Sequence, residues 1–215
     1  MRKKNLLLRK NYLSCQSVLP QVSLGHFIDN ENKISEYNQG VTKQAAIGII
    51  FVPGVQKIKK NQPPSARIIL TKRSLNLSQY PGQISFPGGR KDLNEDTPFK
   101  TAVREIHEEI SLQQSDLKYL ATLLPMTALD GSSVWPVVFQ ADILPEKYLR
   151  ANSEVEKILL VSWKEFQRSK SKEVQVVSTT MQSPSFTTKC GQLVWGLTAR
   201  ILWELDMSEI LVIGR

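Results

Sequence analysis

Three carboxylates lie close together in the stretch Arg104-Glu105-Ile106-His107-Glu108-Glu109. At 100° per helical residue, Glu108 and Glu109 lie about 60° and 40° to either side of Glu105, so the three acids share one stripe of a helix. Carboxylates this close repel one another unless a cation lies between them, and Mg²⁺ prefers oxygen ligands together with substrate phosphates. The pattern therefore indicates a divalent-cation site. A solvated helix face, with Arg104 paired to Glu108 four residues on, is the alternative.

An apolar stripe adjoins the acidic one and has the spacing of a buried helical face. Its members are Phe99, Ala102, Val103, Ile106 and Ile110. Thr97-Pro98 is typical of a helix start, with threonine as the cap and proline at the first helical position. The sequence thus predicts a helix that begins here and presents the acids beside its buried face.

The residues around this helix resemble the Nudix box, G-x5-E-x7-R-E-U-x-E-E-x-G-U, where U is aliphatic. Ser85-Phe86-Pro87-Gly88-Gly89 precedes Glu95 or Asp96, and the acidic stretch from Arg104 follows. Five residues separate Gly89 from Glu95, as in the pattern, but eight rather than seven separate Glu95 from Arg104. Ser111 stands where the pattern has glycine.

The longer spacing is similar to the box of the Nudix coenzyme A pyrophosphatases, G-G-x-x-D-x-x-D-x-S-x-x-x-T-A-x-R-E. The residues that match this box are Gly89, Asp92, Glu95, Thr97, Thr101, Ala102, Arg104 and Glu105. The upstream signature of the same subfamily, L-L-T-x-R-S-x-x-x-R-x-x-x-G-x-[VI]-x-F-P-G-G, is matched by residues 69–74 and 82–89. Ser78 replaces its second arginine. The resemblance extends over about residues 44 to 205.

This resemblance implies an α/β (α+β) Nudix fold, in which a mixed β-sheet is sandwiched between α-helices. It implies metal-dependent hydrolysis, with Mg²⁺ or Mn²⁺, of the pyrophosphate bond of coenzyme A and its thioesters to 3′,5′-ADP and (acyl-)4′-phosphopantetheine. The alternatives are another nucleoside diphosphate derivative, such as NADH, an ADP-sugar or a (d)NTP, and a Nudix-fold binding module without turnover. The partner expected is a small-molecule substrate.

The resemblance also assigns roles to individual residues. Glu105, Glu108 and Glu109 are the expected metal ligands, and Arg104 orients them through ion pairs. Gly88 and Gly89 let the backbone approach the metal and the diphosphate where a Cβ would intrude.

Two further side chains complete the expected site. Arg73, from the upstream signature, suits phosphate binding through its bidentate fork. Glu154 matches a subfamily carboxylate outside the box, with Glu156 as the competing candidate. Neighbouring Lys72 is expected to be a solvated strand end.

Other reactive side chains are expected to be structural. His26 and His107 have no partner pattern, and we leave both out of the mechanism. The four tryptophans lie in apolar contexts and are expected in the core. Two distant cysteines suggest neither zinc nor a disulfide framework, which favours a reduced intracellular compartment.

Composition limits the class of protein. With 215 residues and 41% hydrophobic content, we expect one Nudix domain over residues 41–215 after a basic arm or helix over residues 1–40. The longest apolar run, residues 45–52, is far shorter than the roughly 20 residues that span a bilayer, so we expect no membrane insertion. The net charge of +8 is concentrated at the amino terminus, without an RNA-binding signature, so we expect no nucleic acid partner.

The amino-terminal segment bears on location in the cell. Its first acid is Asp29, and five cations lie in its first ten residues. A cytoplasmic protein with a basic arm is expected, and a mitochondrial transit peptide is the alternative.

Periodicity predicts the remaining elements. The predicted strands cover residues 45–52, 67–71, 119–124 and 134–142, with a polar loop over residues 56–65 and a turn at Asp130-Gly131. A second helix is predicted over residues 195–205.

Overall fold

The computed structural model describes residues 20–21, 37–38, 43–52, 66–141, 149–176, 179–207 and 211–212. Apart from residues 20–21 and 37–38, the basic arm predicted over residues 1–40 lies outside these ranges, as does the predicted 56–65 loop.

The helices are α1 (Pro98–Ile110), α2 (Trp163–Ser169) and α3 (Gly196–Met207), with a 3₁₀ turn at Gln114–Asp116. The strands are β1 (Pro20–Gln21), β2 (Gln44–Val52), β3 (Arg67–Arg73), β4 (Ile84–Ser85), β5 (Gly88–Arg90), β6 (Leu117–Thr122), β7 (Met126–Thr127), β8 (Ser133–Ala141), β9 (Val155–Ser162), β10 (Lys170–Val176), β11 (Thr179–Thr187), β12 (Leu193–Trp195) and β13 (Leu211–Val212).

The largest sheet is mixed and is built around β2. Strand β2 runs parallel to β8 and antiparallel to β3 and β5. The order along the sheet is β4-β3-β2-β8-β6, with β9 paired to β3 and β7 paired to β8. This arrangement brings β5 and β9, which come from distant parts of the sequence, to the same sheet.

Both faces of this sheet are covered. Along β2, Ala46, Ile50 and Val52 belong to one buried cluster, while Ile49 and Phe51 belong to the other. The alternation follows from the two-residue period of a strand. A strand that is buried on both faces needs apolar residues at almost every position, which explains the continuous apolar run in the sequence.

Helix α1 covers the first face. Ala102, Ile106 and Ile110 are fully buried against the sheet, as the predicted apolar stripe requires. A Cβ on Gly48 of β2 would collide with the side chain of Ile106. The glycine therefore lets α1 pack close to β2.

The two ends of α1 are set by local hydrogen bonds. At the start, the Thr97 hydroxyl accepts from the backbone N–H of Lys100 at 3.3 Å, which confirms the predicted cap. At the end, Ser111 has a φ of 62° and its N–H donates to the carbonyl of His107. The left-handed conformation at this position explains why the family pattern has glycine there.

A second layer covers the opposite face. Strands β10, β11 and β12 form an antiparallel sheet that packs with α3, while β1 pairs with β13. The buried side chains that this layer contributes to the core include Phe186, Val194, Ile201, Leu202 and Leu205. The main sheet thus lies between helices on both faces, and the predicted fold class is confirmed.

Several predicted boundaries differ from the structure. The strand predicted over residues 119–124 covers Leu117–Thr122, and the one predicted over residues 67–71 extends to Arg73. The second helix begins at Gly196 rather than at residue 195, because Trp195 pairs with Ser185 in the small sheet. The predicted turn at Asp130-Gly131 is present, and Gly131 has a φ of +81°.

The helices in the described ranges are too short or too polar to cross a membrane.

Candidate active site

The double glycine of β5 lies where the sheet and α1 come closest. Gly88 and Gly89 pair with Ile47 and Ala46 of β2. A Cβ on Gly88 would lie 2.6 Å from the Cα of Ile47, and one on Gly89 would lie 2.6 Å from the carboxylate carbon of Glu105. No side chain fits at either position without moving the backbone or the carboxylate. Glycine therefore lets Glu105 lie directly against β5.

Arg104 is the centre of the polar network. Its Nε donates to Glu95 Oε1 at 2.8 Å, and its Nη2 donates to the carbonyl of Arg90 at 2.8 Å. Its Nη1 donates to Glu105 Oε1 at 2.8 Å and to Glu108 Oε2 at 3.1 Å. Because the guanidinium is planar and its donors have fixed directions, Arg104 orients both glutamates relative to β5.

Glu95 fixes Arg104 by accepting hydrogen bonds from its guanidinium, a role that we did not assign to it from the sequence. Its side chain is buried, and Oε2 accepts from the Thr101 hydroxyl at 2.6 Å and from the backbone N–H of Asp92 at 2.9 Å. Burial raises the pKa of Glu95, but hydrogen bonds from Arg104 and Thr101 outweigh it and hold the pKa below its usual value. The signal for this role was the five-residue spacing from Gly89.

Glu109 is the most buried of the three acids of α1. Its side chain is 5% exposed, and Oε2 has no hydrogen-bond partner among the described residues. Burial and the nearby charge of Glu105 raise the pKa of Glu109 to about 8, against the opposing charge of Arg73. Burial also raises the pKa of Glu105. A buried carboxyl with an unpaired oxygen is unfavourable unless a proton or a cation compensates it.

The two candidate acids outside α1 lie in different surroundings. Burial is the main cause of the raised pKa of Glu105 and of Glu109, and the charge of Glu154 adds to it. The carboxylate of Glu156 instead accepts from Lys72 Nζ at 2.7 Å. Of the two acids, Glu154 is thus the one whose charge acts on the acids of α1, and Lys72 has an ion-pair partner where a solvated strand end was expected.

The chain segment before β9 is tied to the end of α1. The N–H of Asn152 donates to the carbonyl of Glu109 at 3.2 Å, and the N–H of Ser74 donates to the carbonyl of Glu154 at 2.7 Å. These bonds connect α1, the residue after β3 and the segment that carries Glu154. The segment that carries Glu154 is therefore held by backbone hydrogen bonds to the end of α1 and to the residue after β3.

Arg73 ends β3 at the edge of the acidic cluster. Its N–H donates to Gln83 O at 2.9 Å, and its carbonyl accepts from the N–H of Gly82 at 3.2 Å. Its Nε donates to Gln79 O at 3.4 Å. The charge of Arg73 acts to lower the pKa of Glu109, against the larger effect of burial.

Comparison with known families agrees with this geometry. Residues 45–178, more than half of the chain, match the NUDIX domain. The chain belongs to the Nudix family. The matched range contains the double glycine, all of α1 and Glu154.

Relatives of this Nudix chain include two proteins described as the uncharacterized Nudix hydrolase NudL. The one from Photorhabdus laumondii is 33% identical over 145 residues, which cover 66% of this chain and 76% of the relative. The one from Pectobacterium atrosepticum is 28% identical over 155 residues, which cover 67% and 76%. Among solved structures, the Nudix hydrolase RenU from M. smegmatis is 22% identical, with a TM-score of 0.47 over 58% of this chain and 73% of RenU.

Nudix hydrolases generally use divalent metal ions, and the acids of this site fit one. In the described part of the chain, no three His, Cys, Asp or Glu side chains converge as a ready-made metal site. Arg104 lies between two of the acids and binds Glu105 and Glu108. Even so, the unpaired Oε2 of Glu109 and the Glu105 carboxylate against Gly89 are oxygen donors of the kind that Mg²⁺ and Mn²⁺ accept. A cation between them would replace the missing partner.

The remaining candidates lie away from this Nudix site or in the core. His107 is exposed, and its Nδ1 contacts Gln113 Nε2 at 3.0 Å. Trp135 and Trp163 are buried as predicted, whereas Trp195 and Trp203, also predicted in the core, are partly exposed. His26 lies outside the described residues.

Proposed function

We propose that this Nudix chain hydrolyses the pyrophosphate bond of coenzyme A and its thioesters, with Mg²⁺ or Mn²⁺. The observation that carries the proposal is that backbone hydrogen bonds join the two signatures. Ser74 of the upstream signature donates its N–H to the carbonyl of Glu154, and Asn152 of the same segment donates its N–H to the carbonyl of Glu109 of the box. The expected products are 3′,5′-ADP and 4′-phosphopantetheine or its acyl form.

Each acid has a task in this reaction. Glu105, Glu108 and Glu109 would hold the cation, and Glu154 would add a fourth carboxylate. When bound, the cation supplies Lewis-acid stabilisation of the diphosphate and lowers the pKa of an attacking water. As a ligand of the cation, Glu109 would have to be ionised, so cation binding would compete with the proton that its raised pKa favours.

The other residues orient the acids and the substrate. Arg104, fixed by Glu95, sets the positions of Glu105 and Glu108. Gly88 lets β5 pair closely with β2, and Gly89 lets the Glu105 carboxylate lie against β5. Arg73 would pair with a phosphate oxygen through its fork, a charge-assisted contact that favours a diphosphate over a neutral ligand.

Incubation of the purified protein with a panel of diphosphates tests the proposal. The panel contains coenzyme A, acetyl-coenzyme A, NADH, an ADP-sugar and a dNTP, each with and without Mg²⁺ or Mn²⁺, and the products are identified by mass. We expect coenzyme A and its thioester to have the highest kcat/KM. A higher kcat/KM for another member would assign the site to that diphosphate, and turnover of none would indicate a binding module.

The serine at position 78 bears on how strongly the protein selects for the 3′-phosphate of coenzyme A. It is exposed and stands where the subfamily signature has an arginine. If that arginine serves the 3′-phosphate, its absence removes a contact worth about ten- to a hundredfold in affinity. We expect the wild type to discriminate weakly between coenzyme A and 3′-dephospho-coenzyme A, and Ser78→Arg to lower KM for coenzyme A alone.

Steady-state kcat/KM for both substrates in both proteins is the measurement. Ser78→Lys serves as a matched control, since it adds a charge without the fork. A strong wild-type preference for coenzyme A that Ser78→Arg leaves unchanged would contradict the prediction, and it would indicate another cation at the 3′-phosphate.

A further inference from the structure

A chain of buried hydrogen bonds leads from Tyr37 to Arg104. The hydroxyl of Tyr37 lies 2.6 Å from Thr101 Oγ1, and Thr101 Oγ1 lies 2.6 Å from Glu95 Oε2. Glu95 in turn binds Arg104 through both carboxylate oxygens, at 2.8 and 3.3 Å. Tyr37 and Thr101 are both fully buried. Tyr37 lies upstream of the range that matches the NUDIX domain.

The direction of these hydrogen bonds is fixed by chemistry. Glu95 is held ionised by Arg104, so its oxygens only accept, and Thr101 must donate its one proton to Glu95. Tyr37 must therefore donate to Thr101. Burial raises the pKa of Tyr37 to about 12, so the phenol keeps its proton throughout the neutral range.

Tyr37 and the next residue, Asn38, also hold the loop that carries Glu95. Lys91 Nζ donates to the carbonyl of Tyr37 at 2.9 Å and to Asn38 Oδ1 at 3.0 Å, and it lies 4.9 Å from the centre of the Tyr37 ring. Asn38 Nδ2 donates to the carbonyl of Asp96 at 2.8 Å. Residues on both sides of Glu95 are thus anchored to residues 37–38.

We propose that Tyr37 and Asn38 are positioning residues for catalysis: they fix Glu95, which fixes Arg104, which sets the metal-binding glutamates. The inference rests on the metal-dependent hydrolysis proposed above. If Glu95 is no longer held in place, its hydrogen bonds to Arg104 weaken, and Arg104 binds Glu105 and Glu108 more closely. The guanidinium then competes with the cation for those oxygens.

Tyr37→Phe tests the inference, because it removes one hydroxyl and keeps the ring. We expect kcat for whichever diphosphate the wild type cleaves to fall about three- to tenfold, with KM unchanged. We expect the Kd for Mn²⁺, measured from the electron paramagnetic resonance of free Mn²⁺ during titration with MnCl₂, to rise by a similar factor. The Mn²⁺ titration needs no substrate, so it separates a failure of this inference from a wrong substrate assignment.

A double-mutant cycle distinguishes positioning from a general loss of stability. Thr101→Val cuts the path from the Tyr37 hydroxyl to Glu95 that the described hydrogen bonds provide, so Tyr37→Phe, which removes only that hydroxyl, should have no further effect in that background. Thr101→Ser keeps the hydroxyl and should restore wild-type kcat and Mn²⁺ affinity. Asn38→Ala, at an exposed position, should lower kcat by about two- to threefold without disturbing the core.

Val137→Ala is the matched stability control. Val137 is fully buried in the same cluster as Tyr37, and its truncation should lower Tm while kcat and Mn²⁺ affinity stay unchanged. Wild-type kcat and Mn²⁺ affinity in both Tyr37→Phe and Asn38→Ala would overturn the inference. A Tyr37→Phe loss that persists undiminished in the Thr101→Val background would overturn it as well.

Discussion

The three acids of α1 share a stripe but not an environment. The side chains of Glu105 and Glu108 are 14% and 51% exposed, and Glu109 is 5% exposed as a residue. The helical period placed them together, yet it could not show that Glu109 is covered by the sheet and by the segment before β9. If the three acids hold a cation, Glu105 and Glu109 would be the ligands most shielded from water, where their charge would act most strongly on it.

Replacing any of Glu105, Glu108 or Glu109 by glutamine is expected to lower kcat by at least about a hundredfold. Each change removes an anionic ligand from the proposed cation, which would stabilise the charge of the transition state. Turnover at saturating Mg²⁺ is the measurement, and circular dichroism checks folding. Near-wild-type turnover in Glu105→Gln and Glu109→Gln would contradict the proposed metal site.

For the acid outside α1, Glu154→Gln is expected to slow turnover much more than Glu156→Gln. The charge of Glu154 adds to the effect of burial in raising the pKa of Glu105 and Glu109, whereas Glu156 pairs with Lys72 in a partly exposed bridge that contributes about 1 kcal/mol or less. The two variants are matched controls for each other in kcat measurements. The reverse ranking would move the role to Glu156, and equal small effects would exclude both.

At the scale of elements, α1 was the most predictable part of the chain. Its cap, its buried face and its acids all follow from local patterns that agree with one another. Strands β10 and β11 and helix α2 were not predicted. The sequences of the two strands, KSKEVQV and TTMQSPSFT, are polar and lack a strand alternation of apolar residues. Their pairing with each other and with β12, rather than an apolar pattern, defines them.

The C-terminus of α1 carries a correctable strain. Ser111 adopts a left-handed conformation that glycine adopts without steric penalty, and its hydroxyl donates to the carbonyl of Arg150 at 3.2 Å. We expect Ser111→Gly to raise the free energy of unfolding by about 0.5 to 1 kcal/mol, net of the lost hydrogen bond. Urea denaturation measures the change.

Ser111→Ala is the control for this position, since it removes the hydroxyl but keeps the strain. It should lower stability slightly. If Ser111→Gly is no more stable than Ser111→Ala, the conformation of residue 111 does not limit the stability of α1.

At the scale of the whole molecule, the charge of the site should link stability to pH. The pKa of Glu109 is about 8 in the metal-free fold, above the roughly 4.3 of an unfolded glutamate. Because the pKa is higher in the fold, Glu109 makes its full contribution to the free energy of unfolding at pH values below the unfolded pKa. This contribution is lost as the pH rises through about 8. Between pH 5 and pH 8.5, we expect the free energy of unfolding of the wild type to fall by roughly 1 to 3 kcal/mol more than that of Glu109→Gln.

Thermal unfolding of both proteins, with and without Mn²⁺, measures this linkage. Mn²⁺ should raise Tm more at pH 8.5 than at pH 5.5 in the wild type, because protons compete with the cation for the carboxylate. In Glu109→Gln, the pH dependence of the Mn²⁺ effect should be smaller. Parallel Tm curves for the two metal-free proteins would refute the assigned pKa.

The pairing of distant strands has a consequence for how the protein folds. Ala45 pairs with Val134 and Ile69 pairs with Leu160, so chain segments separated by roughly 90 residues must meet before the main sheet closes. Closing loops of that length is slow compared with forming α1 alone. We expect the acids of α1 to share their helix before the sheet closes, whereas Glu154 reaches them only when β9 pairs with β3. During refolding, recovery of helical signal should precede recovery of turnover.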